Sequence, residues 1–166
     1  MRITRGELCA LGVVVSLLMV CVYPSYSQME ERARQAEART NLGGIFVAQM
    51  AFFGDNGRYS DFDEIRFSPL RGGPDRNTRY TYRAMKTIMV GQTVKPGPVQ
   101  VLDPTRGPVT PENTIVAAAS SATSFTATAT ANLDDDLTID QWHINDKKEG
   151  LERPDVDDAP TGGDRT

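Results

Sequence analysis

The chain has 166 residues, 39% hydrophobic and 24% charged, with a formal net charge of −4. That is room for one modest domain. The acidic balance, without a basic stripe interleaved with aromatics, argues against a nucleic-acid surface. No phosphate loop, dinucleotide fingerprint or histidine-rich metal spacing points to an enzyme.

Residues 8–23 (LCALGVVVSLLMVCVY) carry no charge, slightly short of the roughly 20 that cross a bilayer. Arg2 and Arg5 precede the run. Positive charge there keeps that end cytoplasmic and puts the rest of the chain outside. Two readings compete. One is a retained N-terminal anchor. The other is a secretory signal cut after Ser27, where Ser25-Tyr26-Ser27 offers a small-x-small site. The acid Glu7 at the mouth of the run favours the anchor. Cys9 and Cys21 both lie in this run. On one helix they sit about 18 Å apart, too far for a disulfide within the chain.

From Gln28 to Phe53 the pattern is helical. Met29, Ala33, Ala36, Leu42, Ile45, Phe46, Gln49 and Phe53 recur at 3–4 spacing and read as the core face. Glu30, Glu31, Arg32, Arg34, Glu37 and Arg39 read mostly as the solvent face. GDNG (54–57) stops the helix. In 58–67, Tyr59, Phe62, Ile65 and Phe67 are expected under the helix end. Residues 71–77 are a turn cluster, and 78–85 alternate as a strand. Residues 91–112, with five prolines and three glycines, read as a long loop. Residues 124–133 and 137–145 read as a hairpin around Asp134–Asp136. Trp142 should pack on the helix and His143 face solvent. From Arg153 the polar tail reads as disordered. Asp134, Asp135, Asp136 and Asp140 cluster hard oxygen ligands that suit calcium. The blander reading is a solvated acidic turn, because the full calcium-loop pattern is absent. No other cofactor is expected.

Thr4, Glu7-Leu8, the apolar run, Pro24 seventeen residues after the glutamate, and then an amphipathic helix resemble the N-terminus of type IV pilins and pseudopilins. RARQAEARTNLGGIFVAQMAFFGDNGRYS (32–60) resembles the continuation of the long helix in the delta-proteobacterial type. RYTYRA (79–84) and FTATATANLDDDLTIDQWHIN (125–145) resemble strands of those pilins' heads. The resemblance implies an α+β fold: a long N-terminal helix, membrane anchor plus amphipathic half, packed on a small antiparallel sheet head. It divides the chain into an anchor and assembly half (1–27), a head with the second helix half (28–152) and a tail (153–166). It implies a helix bent but not ended at Pro24, about 70 Å long from Glu7 to Phe53. It implies a structural subunit of a pilus or pseudopilus, held in the inner membrane with its head outside the cytoplasm and then assembled into a surface or periplasmic filament. Its partners would be homologous pilin subunits and a membrane assembly platform. Glu7 would meet the free N-terminal amine of a neighbouring subunit, with Thr4 and Pro24 completing the assembly motif. Where the family has a glycine-phenylalanine pair at leader cleavage, this chain has Arg2-Ile3. That departure points to a minor or uncleaved subunit. The alternative remains a secreted or periplasmic binding module released after Ser27.

Overall fold

The computed structural model describes residues 5–70, 78–91, 93–133 and 137–157, with helix side chains described at Val14, Ser16, Met29 and from Arg32 onward. Helix α1 spans Arg5–Asn56. Five strands follow: β1 Thr81–Val90, β2 Thr93–Leu102, β3 Ala119–Ser120, β4 Phe125–Ala131 and β5 Asp140–Asn145. All pairings are antiparallel, so the head is α+β: a helix packed on an antiparallel sheet.

The GDNG turn ends the helix as its chemistry requires. Gly57 takes φ 65 and its amide donates to Phe53 O at 2.8 Å, the left-handed close that glycine allows without a Cβ clash. The chain then tucks Tyr59, Phe62 and Ile65 into the core, with Phe67 at its margin. Tyr59 stacks on Phe53 with ring centroids 4.6 Å apart.

β4 sits at the centre of the sheet. β1 and β3 share one of its edges, and β5 takes the other. Its sequence FTATATA explains its place. Ala127, Ala129 and Ala131 point at the helix and are buried, and their small size lets α1 approach closely. Thr126, Thr128 and Thr130 alternate to the opposite face. That face is covered too. Thr110 N donates to Thr81 Oγ1 at 3.2 Å, and Thr110 Oγ1 donates to Thr130 Oγ1 at 2.8 Å. Gln141 Nε2 donates to Val116 O at 2.7 Å. The segment 104–118 therefore roofs the sheet, and Arg83 is buried beneath it, donating to Thr130 Oγ1 and to Thr110 O.

Three expectations need correction. The strand expected at 78–85 runs from Thr81 to Val90, and Thr81–Ala84 are buried on both faces because the sheet is roofed as well as floored. The long loop expected at 91–112 contains β2. Gly91, at φ 64, turns β1 into it. Pro96 and Pro98 are tolerated because β2 is an edge strand, where a missing donor leaves no ladder bond unmade. The tail expected to be disordered from Arg153 is partly tied down: Gln141 bridges Val156 in antiparallel fashion.

Candidate assembly site

Helix α1 carries two different stripes. The inward one is Ala38, Leu42 and Ile45 with Asn41 and Gln49, all essentially inaccessible. Phe46 and Phe53 join it half-buried. The outward one is Met29, Ala33, Ala36, Thr40, Gly43, Val47, Met50 and Gly54. Met29 is 73% exposed, Val47 66% and Met50 39%, and Ala33, Ala36, Thr40 and Gly54 are also exposed. Thr40 donates its hydroxyl to Ala36 O at 2.8 Å, so it offers its methyl group outward.

This corrects the single core face read from the sequence. Met29, Ala33 and Ala36 belong to the outward stripe. The expected solvent face is corrected as well, because Glu37 turns toward the sheet. Two superposed 3–4 patterns, offset around the helix, look like one broad pattern when no partner is known. The outward stripe repeats in steps of four and three, about 3.6 residues on average, which keeps it on one face of the helix.

Polar ties hold the inward face. Arg34 Nη1 donates to Leu133 O at 2.6 Å. Glu37 Oε1 accepts from Arg79 N at 3.1 Å, and burial pushes its carboxyl above the ordinary range. Asn41 Nδ2 donates to Tyr82 Oη at 2.8 Å, while its Oδ1 accepts from Leu70 N at 2.7 Å. Gln49 exchanges two bonds with Ser60, donating to its carbonyl at 2.5 Å and accepting from its amide at 3.1 Å. Beyond the helix end, Glu64 binds Arg58, Ser60 and Lys86. The Lys86 bond above all, then Ser60 and Arg58, lowers its carboxyl to about 2.

Of the proposed metal ligands, Asp134, Asp135 and Asp136 lie outside the described residues. Asp140 is buried within β5, facing α1. Its Oδ2 accepts from Tyr80 Oη and Trp142 Nε1, both at 2.6 Å, and its Oδ1 from Gln35 Nε2 at 3.0 Å. It is therefore a structural acceptor rather than a loop ligand, which corrects its assignment. Among the described residues no group of three acidic, histidine or cysteine side chains could hold a metal.

Trp142 packs under the helix as expected, with Arg39 5.7 Å above its ring. His143 does not simply face solvent, because its Nδ1 lies 2.7 and 2.8 Å from the two oxygens of Asp155. Arg2, Ile3 and Thr4 lie outside the described residues, as do the side chains of Glu7 and Pro24. Among the described residues no helix is long and apolar enough to cross a membrane.

Sequence reasoning did not single out Asn41, Arg83, Glu64 or Asp155. Asn41 left a signal: with Ile45 and Gln49 it forms a four-residue ladder of polar and apolar positions, which in a packed helix demands partners.

One face of the helix is thus buried against an antiparallel sheet, and the other carries a bare stripe. The chain is similar to the type IV major pilin protein PilA of Myxococcus xanthus (strain DK1622), with 38% identity over 81 residues, 48% of this chain and 34% of the relative. The chain thus spans about a third of that relative's length. No family model matches it.

Proposed function

We propose that the chain is a structural subunit of a type IV pilus or pseudopilus, assembling with homologous subunits through α1. The observation that carries this reading is the outward stripe from Met29 to Gly54. It is apolar or small, it is bare in the single copy, and it runs continuously along one face of the helix. An exposed apolar seam of this kind marks an interaction surface. In this reading residues 7–27 anchor the subunit in the inner membrane, with its head outside the cytoplasm, until a membrane platform draws it into the filament. Glu7 then pairs with a neighbour's terminal amine, because an unpaired carboxylate in apolar surroundings is costly. Thr4 and Pro24 complete the motif, Pro24 by bending the helix. Arg2-Ile3, in place of glycine-phenylalanine, fits a minor or uncleaved subunit. Calcium at Asp134–Asp136 belongs to the same proposal, without Asp140. A module freed after Ser27 is not favoured by the pilin relative.

The test is substitution on the seam. Ala36→Glu and Val47→Glu each place a charge on exposed surface, where substitutions shift stability by about 0.5 kcal/mol or less. Circular dichroism and the unfolding midpoint should stay near wild type, while incorporation into filaments falls. Normal incorporation of both variants would show that the outward stripe is not the assembly surface.

A further inference from the structure

An unpaired strand edge templates pairing with another chain, so folded sheets guard their edges. Here the two outer strands are guarded differently. β2 guards itself, because Pro96 and Pro98 lack donors and Lys95 brings charge. β5, with the sequence DQWHIN, has neither proline nor lysine. Its cover is a separate piece of chain, residues 150–157.

That piece is fastened by a few bonds of defined geometry. Gln141 N donates to Val156 O at 3.0 Å, and Asp155 N donates to Gln141 O at 2.7 Å. The Asp155 carboxylate grips His143 Nδ1 through both oxygens. Gln35 Nε2 donates to Asp157 Oδ1 at 2.8 Å, which ties the piece to α1. The turn leading into it is built for a sharp return, with Lys148 at φ 63 and Gly150 at φ 100. Gly150 lies directly on His143: a Cβ there would come within 2.5 Å of His143 O and 2.6 Å of its Nε2. Only glycine lets the chain pass this closely.

We propose that residues 150–157 form a releasable strap, latched by His143 and Asp155, that guards the open edge of β5 and opens as a unit while the helix–sheet core stays folded. The burial pattern supports a separate unit. None of residues 151–157 is fully buried, and the strap gives the core only Leu151, at its margin. Between the strap and β5 lies an open groove lined by His143, Lys148, Glu149, Glu152, Arg153 and Asp155 among others. The strap is therefore held mainly by polar bonds rather than by packed apolar side chains. Segments with few buried apolar contacts and solvent-reachable backbone bonds open locally, at a free energy well below that of global unfolding.

The test is residue-resolved amide hydrogen exchange on the full chain in detergent, comparing wild type with Asp155→Ala and Gly150→Ala. The first removes the latch acceptor, and the second forces the turn off His143. In both, the amides of Gln141, Asp155 and Val156 should exchange about ten- to a hundredfold faster, the loss expected for one hydrogen bond to a charged group. The amides of Thr81–Arg83 and Thr128–Thr130, where β1 and β4 pair, should keep their protection. Asp155→Asn retains an acceptor and should fall between wild type and Asp155→Ala. Unchanged exchange at Gln141 and Val156 in both variants would overturn the latch. Equal loss of protection in β1 and β4 would overturn the separate strap, because residues 150–157 would then belong to the core.

Discussion

Adjacent glycines in the middle of α1 give opposite expectations when each is replaced by alanine. In an interior helical position, glycine costs about 1 kcal/mol relative to alanine, because it loses more backbone freedom on folding. At Gly43 a Cβ would meet nothing within 4 Å, whereas at Gly44 it would meet Phe67 Cε2 at 3.2 Å. Gly43→Ala should therefore yield nearly the whole gain, about 1 kcal/mol, or about 3–5 °C in midpoint for a head of this size. Gly44→Ala must push Phe67, which is itself packed on Phe62 with centroids 5.7 Å apart. Overpacking of this kind costs about 1 kcal/mol or more, so the net effect should be near zero or destabilising. Urea unfolding of the detergent-solubilised chain, followed by Trp142 fluorescence, reads both. Filament incorporation adds the second half of the argument. Gly43 lies on the outward seam, so an added methyl group there should hinder a close neighbour even as it stabilises the single copy. A Gly43→Ala variant that is less stable than wild type, or as stable as Gly44→Ala, would refute the packing argument. One that is both more stable and fully incorporated would refute the seam.

Glu64 predicts the acid limb of the stability curve. Its carboxyl is lowered from 4.5 to about 2 in the folded state. Its contribution is thus complete above pH 4.5 and is lost as pH falls from there toward 2. Glu64→Gln should flatten that part of the curve, and an unchanged slope would deny the Lys86 pairing its role. Asp140→Ala strands the buried donors of Tyr80 and Trp142, and should cost about 2–5 kcal/mol by urea midpoint. A loss under about 1 kcal/mol would mean that these donors find other partners. If the Asp134–Asp136 turn takes calcium, millimolar calcium should raise the thermal midpoint of the chain, and Asp135→Asn should abolish the rise. Identical midpoints would return the turn to solvent. Glu7→Ala should still fractionate with membranes while its share in filaments drops, and normal filaments would end the pairing idea.

Local signals made much of the head legible. The GDNG stop, the β4–β5 hairpin and the Tyr59–Phe67 tuck depend on turn chemistry and short-range apolar spacing, which a sequence displays directly. β2 was hidden because its prolines argue against a central strand, and only the sheet order shows that it lies at an edge. The strap was hidden because its bonds to Gln141 and His143 are backbone pairing and one carboxylate, neither of which leaves a hydrophobic pattern. Asp140 misled for a related reason. In sequence it stands four residues past an acidic turn, but the strand carries it under the helix, where Tyr80 and Trp142 claim its oxygens. The two faces of α1 were merged because periodicity reports the angle between apolar positions and not which partner each one meets.

The polar ties along α1 bear on that last point. Apolar packing alone fixes the distance of a helix from a sheet better than its rotation, because methyl groups slide over an alanine floor such as Ala127–Ala131 at little cost. Hydrogen bonds are directional, and here they come from four points along the helix: Arg34 to Leu133 O, Glu37 to Arg79 N, Asn41 to Leu70 and Tyr82, Gln49 to Ser60. Rotating α1 by one residue, about 100°, would break them all and leave buried polar groups unpaired. The same rotation would turn Val47 and Met50 away from their outward position. The buried polar residues on this otherwise apolar face thus set the direction in which the bare seam points. Under the proposed assembly, a helix that presents one stripe to neighbouring copies has reason to keep Asn41 and Gln49 where leucine would pack more simply.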